Sequence, residues 1–192
     1  MRHRIETLGL AGVVICGAVG LAQGQTVIDF DSFTGPVTNQ FAEATFSTVA
    51  GQENISFAFS SNNTAPNILC TADIGGTQNC INPTFIDFTD PVNDLSFWAI
   101  ETNEVGVTAQ FAVFENGAFS ASVDLNSVGG ASNNQFVDLS AFSNVTRLEI
   151  TVNAGLESSG IGWDTFRFTV VPAPSSVALL SVGMLAAVRR RR

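Results

Sequence analysis

Between residues 26 and 170 apolar side chains recur at alternate positions, and clusters of Gly, Asn, Ser and Pro interrupt the recurrence. Ile55, Phe57 and Phe59 alternate with Asn54, Ser56, Ala58 and Ser60. Val105, Val107, Ala109, Phe111 and Val113 form a second stripe, and Phe119, Ala121, Val123 and Leu125 a third. Leu148, Ile150 and Val152 alternate with Arg147, Glu149 and Thr151, as Phe166, Phe168 and Val170 do with Thr165, Arg167 and Thr169. This period predicts strands with one face buried and one face wet. The run Leu95 to Ile100 is apolar on both faces and predicts a central strand. Asn116-Gly117 lies between two alternating runs and is the strongest hairpin signal in the chain. About ten short strands of this kind predict an all-β, antiparallel, two-sheet sandwich of jelly-roll type over residues 25–170. Sixteen Phe and two Trp supply the core volume that such a sandwich needs.

The pattern changes at both ends. Arg2 and Arg4 precede an apolar run from Leu8 to Leu21, and Ala22-Gln23-Gly24 places small residues two apart. Residues 1–24 therefore read as a signal peptide with a short apolar helix, cut between Gly24 and Gln25. At the other end, Pro172-Ala173-Pro174 breaks regular structure, because proline removes a donor and fixes φ. An apolar helix is expected from Ser175 to Val188, followed by Arg189, Arg190, Arg191 and Arg192. Both apolar runs are shorter than the roughly 20 residues that fill a bilayer. The terminal Arg run would hold its end on the cytoplasmic side.

This ordered tail, Val171–Arg192, resembles a PEP-CTERM sorting domain, the exosortase-recognised signal of Gram-negative bacteria that make exopolysaccharide. In that family the motif is Pro-Glu-Pro, and here Ala173 stands in the middle position. The resemblance implies two processing partners, a signal peptidase and an exosortase-like enzyme, with transient anchoring in the inner membrane. The body is similar to a loose group of domains found upstream of such tails. The segments that carry this likeness are Ile28–Phe33, Phe136–Thr146 and Gly160–Phe168. It implies a jelly roll related in shape to carbohydrate-binding modules and fixes no ligand.

Composition narrows the chemistry. Residues 25–171 carry 16 acids against 2 bases, a formal charge of −14, and the chain has no Lys. Such a surface repels nucleic acid, whose binding rests on cationic contacts to phosphate. His3 is the only histidine, and there is no Tyr. A His-dependent triad, a Lys Schiff base and a His-ligated zinc are thus excluded from the mature body. A two-carboxylate glycosidase is the enzyme class hardest to exclude, although no acid pair stands out. Cys70 and Cys80 remain after Cys16 is assigned to the export segment, and an even pair bound for an oxidising compartment predicts a disulfide.

Two candidate sites follow. Asp29 and Asp31 share one strand face and Asp164 lies on the last strand, so the three could offer oxygen ligands to Ca²⁺. No Asp-x-Asp-x-Asp-Gly loop accompanies them. Trp98, in the strand apolar on both faces, is expected in the core. Trp163, opposite Phe166 by alternation, is expected to face outward as a sugar-stacking platform. The functional expectation is an exported, non-enzymatic β-sandwich, processed by an exosortase and associated with exopolysaccharide at the cell surface or in the matrix. The alternative is a carbohydrate-binding module that uses one sandwich face together with Ca²⁺. Intact mass of the protein recovered from its host tests the two ends. A chain starting at Gln25 with a second change near Pro172–Pro174 is expected, whereas full-length cytoplasmic material would overturn the reading.

Overall fold

A computed structural model gives the fold for residues 24–32, 34–59, 66–75, 77–130 and 133–172. The expected terminal helices, Ala173, Pro174 and the Arg189–Arg192 cluster lie outside these residues. Among the described residues there is no helix, and eleven strands carry the alternating pattern: β1 (Thr26–Ile28), β2 (Gly35–Pro36), β3 (Ala44–Thr48), β4 (Gln52–Ala58), β5 (Asn67–Asp73), β6 (Thr84–Ile100), β7 (Val105–Glu115), β8 (Ala118–Val128), β9 (Gln135–Asp138), β10 (Val145–Val152) and β11 (Gly162–Val170).

All named strand pairs are antiparallel, and they join into one hydrogen-bonded sheet rather than the two separate sheets expected. The reason is β6, which spans 17 residues. Its first part, Thr84–Phe88, lies between β3 and β10. Its last part, Ser96–Ala99, lies between β9 and β11. Between them Pro91 lacks an amide donor and Asp94 sits at φ 56°, so the ladder changes partners where regular pairing cannot continue. One arm runs β3-β6-β10-β7-β8 and the other β9-β6-β11-β5-β4-β2, with β1 also on β11.

The arms close face to face through aromatic rings. Phe97 of β6 lies 5.3 Å from Phe111 of β7 and stacks at 4.8 Å on Phe166 of β11. Phe111 meets Trp163 edge-on at 5.9 Å, and Phe88 meets Phe168 at 5.2 Å. These rings join Leu148, Ile150, Leu95 and Val113 in one buried cluster. At the far end, β7 turns into β8 through Asn116 at φ 51° and Gly117 at φ 81°, the two positive values that a type I′ turn requires. Strand β8 pairs with β7 and ends the sheet order, and it contains neither Lys nor Pro.

Three bulges or polar insertions move side chains away from the faces that alternation assigned. The register shifts between Val107 and Ala109, so Thr108 and Ala109 are both buried while Val105 is 71% exposed. In β4, Asn54 and Ser56 face the interior. Thr84 Oγ1 donates to Asn54 Oδ1 at 3.2 Å, and Ser56 Oγ donates to the Phe30 carbonyl at 3.1 Å. Ile55, Phe57 and Phe59 therefore point to the outer face. In β11 a bulge between Asp164 and Arg167, with Thr165 at φ 50°, puts Trp163 and Phe166 on the same inner side.

The Cys70–Cys80 disulfide is formed, with Cα atoms 4.8 Å apart. Its loop is braced against β5, because the Cys80 amide donates to the Thr71 carbonyl at 3.0 Å. Gln52 links its flanks, donating to Asp73 at 2.7 Å and accepting from Asn82 at 2.9 Å. Removing the pair as Cys70→Ser with Cys80→Ser is expected to lower stability by about 2–3 kcal/mol. Trp163→Ala is expected to cost about 3–5 kcal/mol. Chemical denaturation of both variants checks these values, and a Trp163→Ala protein as stable as the parent would contradict a core position for that ring.

Candidate functional site

Strand β6 alternates between the core and the outer face of the second arm. Phe97 and Ala99 are fully buried, so Trp98 and Ile100 project the other way. Trp98 is half-buried there, and Phe136 of β9, directly opposite in register, is 51% exposed. Their ring centroids are 5.4 Å apart at 61°. The two tryptophans thus exchange the positions expected from sequence. Trp163 is 1% exposed, enclosed by Phe97 at 6.0 Å and Phe111, and offers no platform to solvent. The β11 bulge is the cause.

The register extends this aromatic row across the arm. Asp164 pairs with Trp98, Trp163 with Leu69, and Ile68 with Phe57. One step along the β11–β5 pair sets Asp164 beside Ile68, so Phe136, Trp98, Asp164, Ile68 and Phe57 follow one another across five strands. Next to this row is a cleft of about 230 Å³. Phe57, Phe59, Ile68 and Ile100 provide its apolar surface, and Gly160, Gly162, Cys80 and Glu101 complete much of the rim. The Phe57 and Phe59 rings meet edge-on at 6.1 Å. A larger groove of about 400 Å³, bounded by Thr26, Glu43, Thr89, Asp90 and Val170, has no aromatic lining.

Two loops shape the cleft, and each has a physical anchor. Gly160 sits at φ 79°, and a Cβ there would fall 2.5 Å from Cys80 Cβ. That close approach lets Ile161 N–H donate to the Cys80 carbonyl at 3.0 Å, which joins the 155–161 loop to the disulfide loop. A Cβ on Gly162 would meet Ile68 at 2.3 Å, so only glycine leaves room for the isoleucine. The buried Glu157 accepts the amides of Asn103 at 2.9 Å and Glu104 at 3.1 Å. These bonds fix the turn that carries Glu101, whose own amide donates to Asn134 Oδ1 at 3.2 Å.

The local charge is acidic. Glu101 borders the cleft, Asp164 is buried in the row with an oxygen accepting the Thr165 amide, and Asp138 follows Phe136 on the same face of β9. Hydrogen bonds from the Ser140 amide and then its hydroxyl hold the Asp138 carboxyl below the usual Asp value. Of the two bases in the body, Arg147 is committed elsewhere, to Asp87 at 2.9 Å and Glu149 at 2.8 Å.

Asp29, Asp31 and Asp164 are not assembled as a cation site. Among the described residues no three Asp, Glu, His or Cys side chains are grouped to hold a metal. Strand β1 ends at Ile28, so Asp29 and Asp31 lie past it, exposed, whereas Asp164 is 2% exposed. Asp31 Oδ1 instead accepts the Asn67 amide at 3.1 Å. Sequence reasoning missed Phe57, Phe59, Phe136 and Glu101. Val137 as an inward residue of β9 was the one available signal for an outward Phe136.

No family model matches the chain, and no curated protein does. Among solved structures, the K2 cleaved adhesin domain of Lys-gingipain shares 15% identity at a TM-score of 0.49, covering 77% of this chain and 100% of that one. The K1 adhesin domain from Porphyromonas gingivalis W83 shares 12% at 0.40, covering 78% and 99%. The low-affinity xylan binding module CBM86 of Roseburia intestinalis shares 12% at 0.35, covering 77% and 96%.

Gly160→Ala is expected to destabilise the protein by about 1–3 kcal/mol, from the positive φ and the clash with Cys80. It should also make the disulfide more accessible to reductant. A thermal melt with timed dithiothreitol reduction reads both, and unchanged values would refute the proposed link between the loops.

Proposed function

We propose that this chain is an exported, non-catalytic polysaccharide-binding domain, jelly-roll-like in architecture, that works at the cell surface or in an extracellular matrix. The observation that carries the reading is the Trp98–Phe136 pair on the outer face of the second arm. An aromatic face is negative and a sugar ring presents rows of weakly positive C–H bonds, so the two stack without needing charge. The neighbouring cleft, where Phe57 and Phe59 stand beside Gln78, Glu101 and Ser159, extends the same surface. A disulfide in a chain of acidic, lysine-free character suits an oxidising extracellular setting.

In this reading the signal peptide is removed by a signal peptidase. The Pro172-Ala173-Pro174 tail is read by an exosortase-like enzyme while its apolar segment rests in the inner membrane. Support for this part is the ordered motif, apolar run and Arg cluster of the sequence. Calcium has no role in this reading, because the three aspartates considered for it occupy different environments among the described residues.

Affinity electrophoresis in gels containing soluble polysaccharides tests the platform. Retardation is expected, and Trp98→Ala with Phe136→Ala should weaken it by about tenfold or more, the loss of one or two stacked rings. Chelator should leave it unchanged. The reading is abandoned if no polysaccharide retards the protein, or if the double variant migrates as the parent does while remaining folded.

A further inference from the structure

The cleft beside Trp98 has a composition that selects among sugars. Ile100, itself buried behind the cleft, lies two residues from Trp98 on the same strand face, so platform and cleft share one face of the arm. The cleft lining combines the Phe57 and Phe59 rings with polar groups of Gln78, Ser159 and Glu101. Glu101 is the acid on its rim, held in place by the turn that Glu157 anchors. The Glu101 amide is bonded to Asn134, but among the described residues its half-buried carboxylate has no hydrogen bond or ion pair. A carboxylate in that setting accepts hydrogen bonds and favours a positive neighbour, and partial exclusion of water strengthens the attraction. No base of the body is spent there: Arg147 is committed to Asp87 and Glu149, and Arg167 lies on the outer surface opposite Ser96, further along β11.

We propose that this cleft is a sugar subsite for an amino-bearing, cationic residue of a polysaccharide, with Phe57 and Phe59 against the ring and Glu101 on the ammonium group. The inference rests on the reading of the outer face as a polysaccharide platform. Uronic and sulfated sugars are disfavoured by Glu101 and by the net charge of the body.

The test compares three polymers, partly deacetylated chitosan, a neutral β-glucan and polygalacturonate, against the full-length protein at low and high salt. Chitosan is expected to bind about tenfold more tightly than the glucan at low salt, and the advantage should shrink at high salt. Glu101→Gln should bring the ratio of the two affinities to about one. Asp124→Asn on β8 removes the same charge from a strand at the other end of the sheet and should leave the ratio intact. Equal losses in the two variants would assign the attraction to overall acidity and overturn the proposal. Polygalacturonate binding as tightly as chitosan would do the same, as would glucan binding with no chitosan advantage, and both leave the platform standing. Failure of every polymer to bind would remove the platform and the subsite together.

Discussion

Strand β6 is hydrogen-bonded to both arms, and the rest of the molecule depends on that sharing. Backbone donors and acceptors must be paired once buried, and a sandwich usually meets the demand in two separate ladders. Here one 17-residue strand serves both, with Pro91 and Asp94 at the change of partners. The sharing sets the angle at which the arms meet. It also brings Phe97 between Phe111, Trp163 and Phe166, so the aromatic core follows from the ladder geometry.

Much of the architecture was legible in the residue pattern. The stripes at Leu148–Val152 and Phe166–Phe168 are buried as expected, the run Leu95–Ile100 is central, Asn116-Gly117 makes its hairpin, and Cys70 reaches Cys80. Alternation reports a face only while the pleat is unbroken. At Thr165 an extra residue resets the parity, and Trp163 turns inward, a change no side-chain period reveals. In the stripe Ile55, Phe57, Phe59 the first residue is buried as expected, and the two rings are partly exposed for another reason. Asn54 and Ser56 find partners in Thr84 and the Phe30 carbonyl, which lets a polar face be the buried one. The candidate site was the least legible part, since the bulge removed Trp163 from it, the polar pairs of β4 turned Phe57 and Phe59 toward it, and Trp98 and Phe136 meet only through the β6–β9 register.

The outer face owes its form to small residues and covalent bracing more than to the aromatic side chains that would meet a ligand. Gly160 permits a backbone approach that a Cβ would block, Gly162 leaves space for the Ile68 side chain, and the disulfide holds one wall. Glu157 contributes from beneath by pairing with two amides of the adjoining turn. A surface braced in this way has less freedom left to lose on meeting a ligand.

The pairing of β1 with β11 has a bearing on biogenesis. Thr26 lies opposite Phe168, so the first strand finds its neighbour only after nearly the whole body has been synthesised. Strand β3 waits in the same way for β6. Partners so distant along the chain make the closing step slow. A polypeptide of this topology stays open until its last strand arrives, and both edges of the body then lock together in one late event.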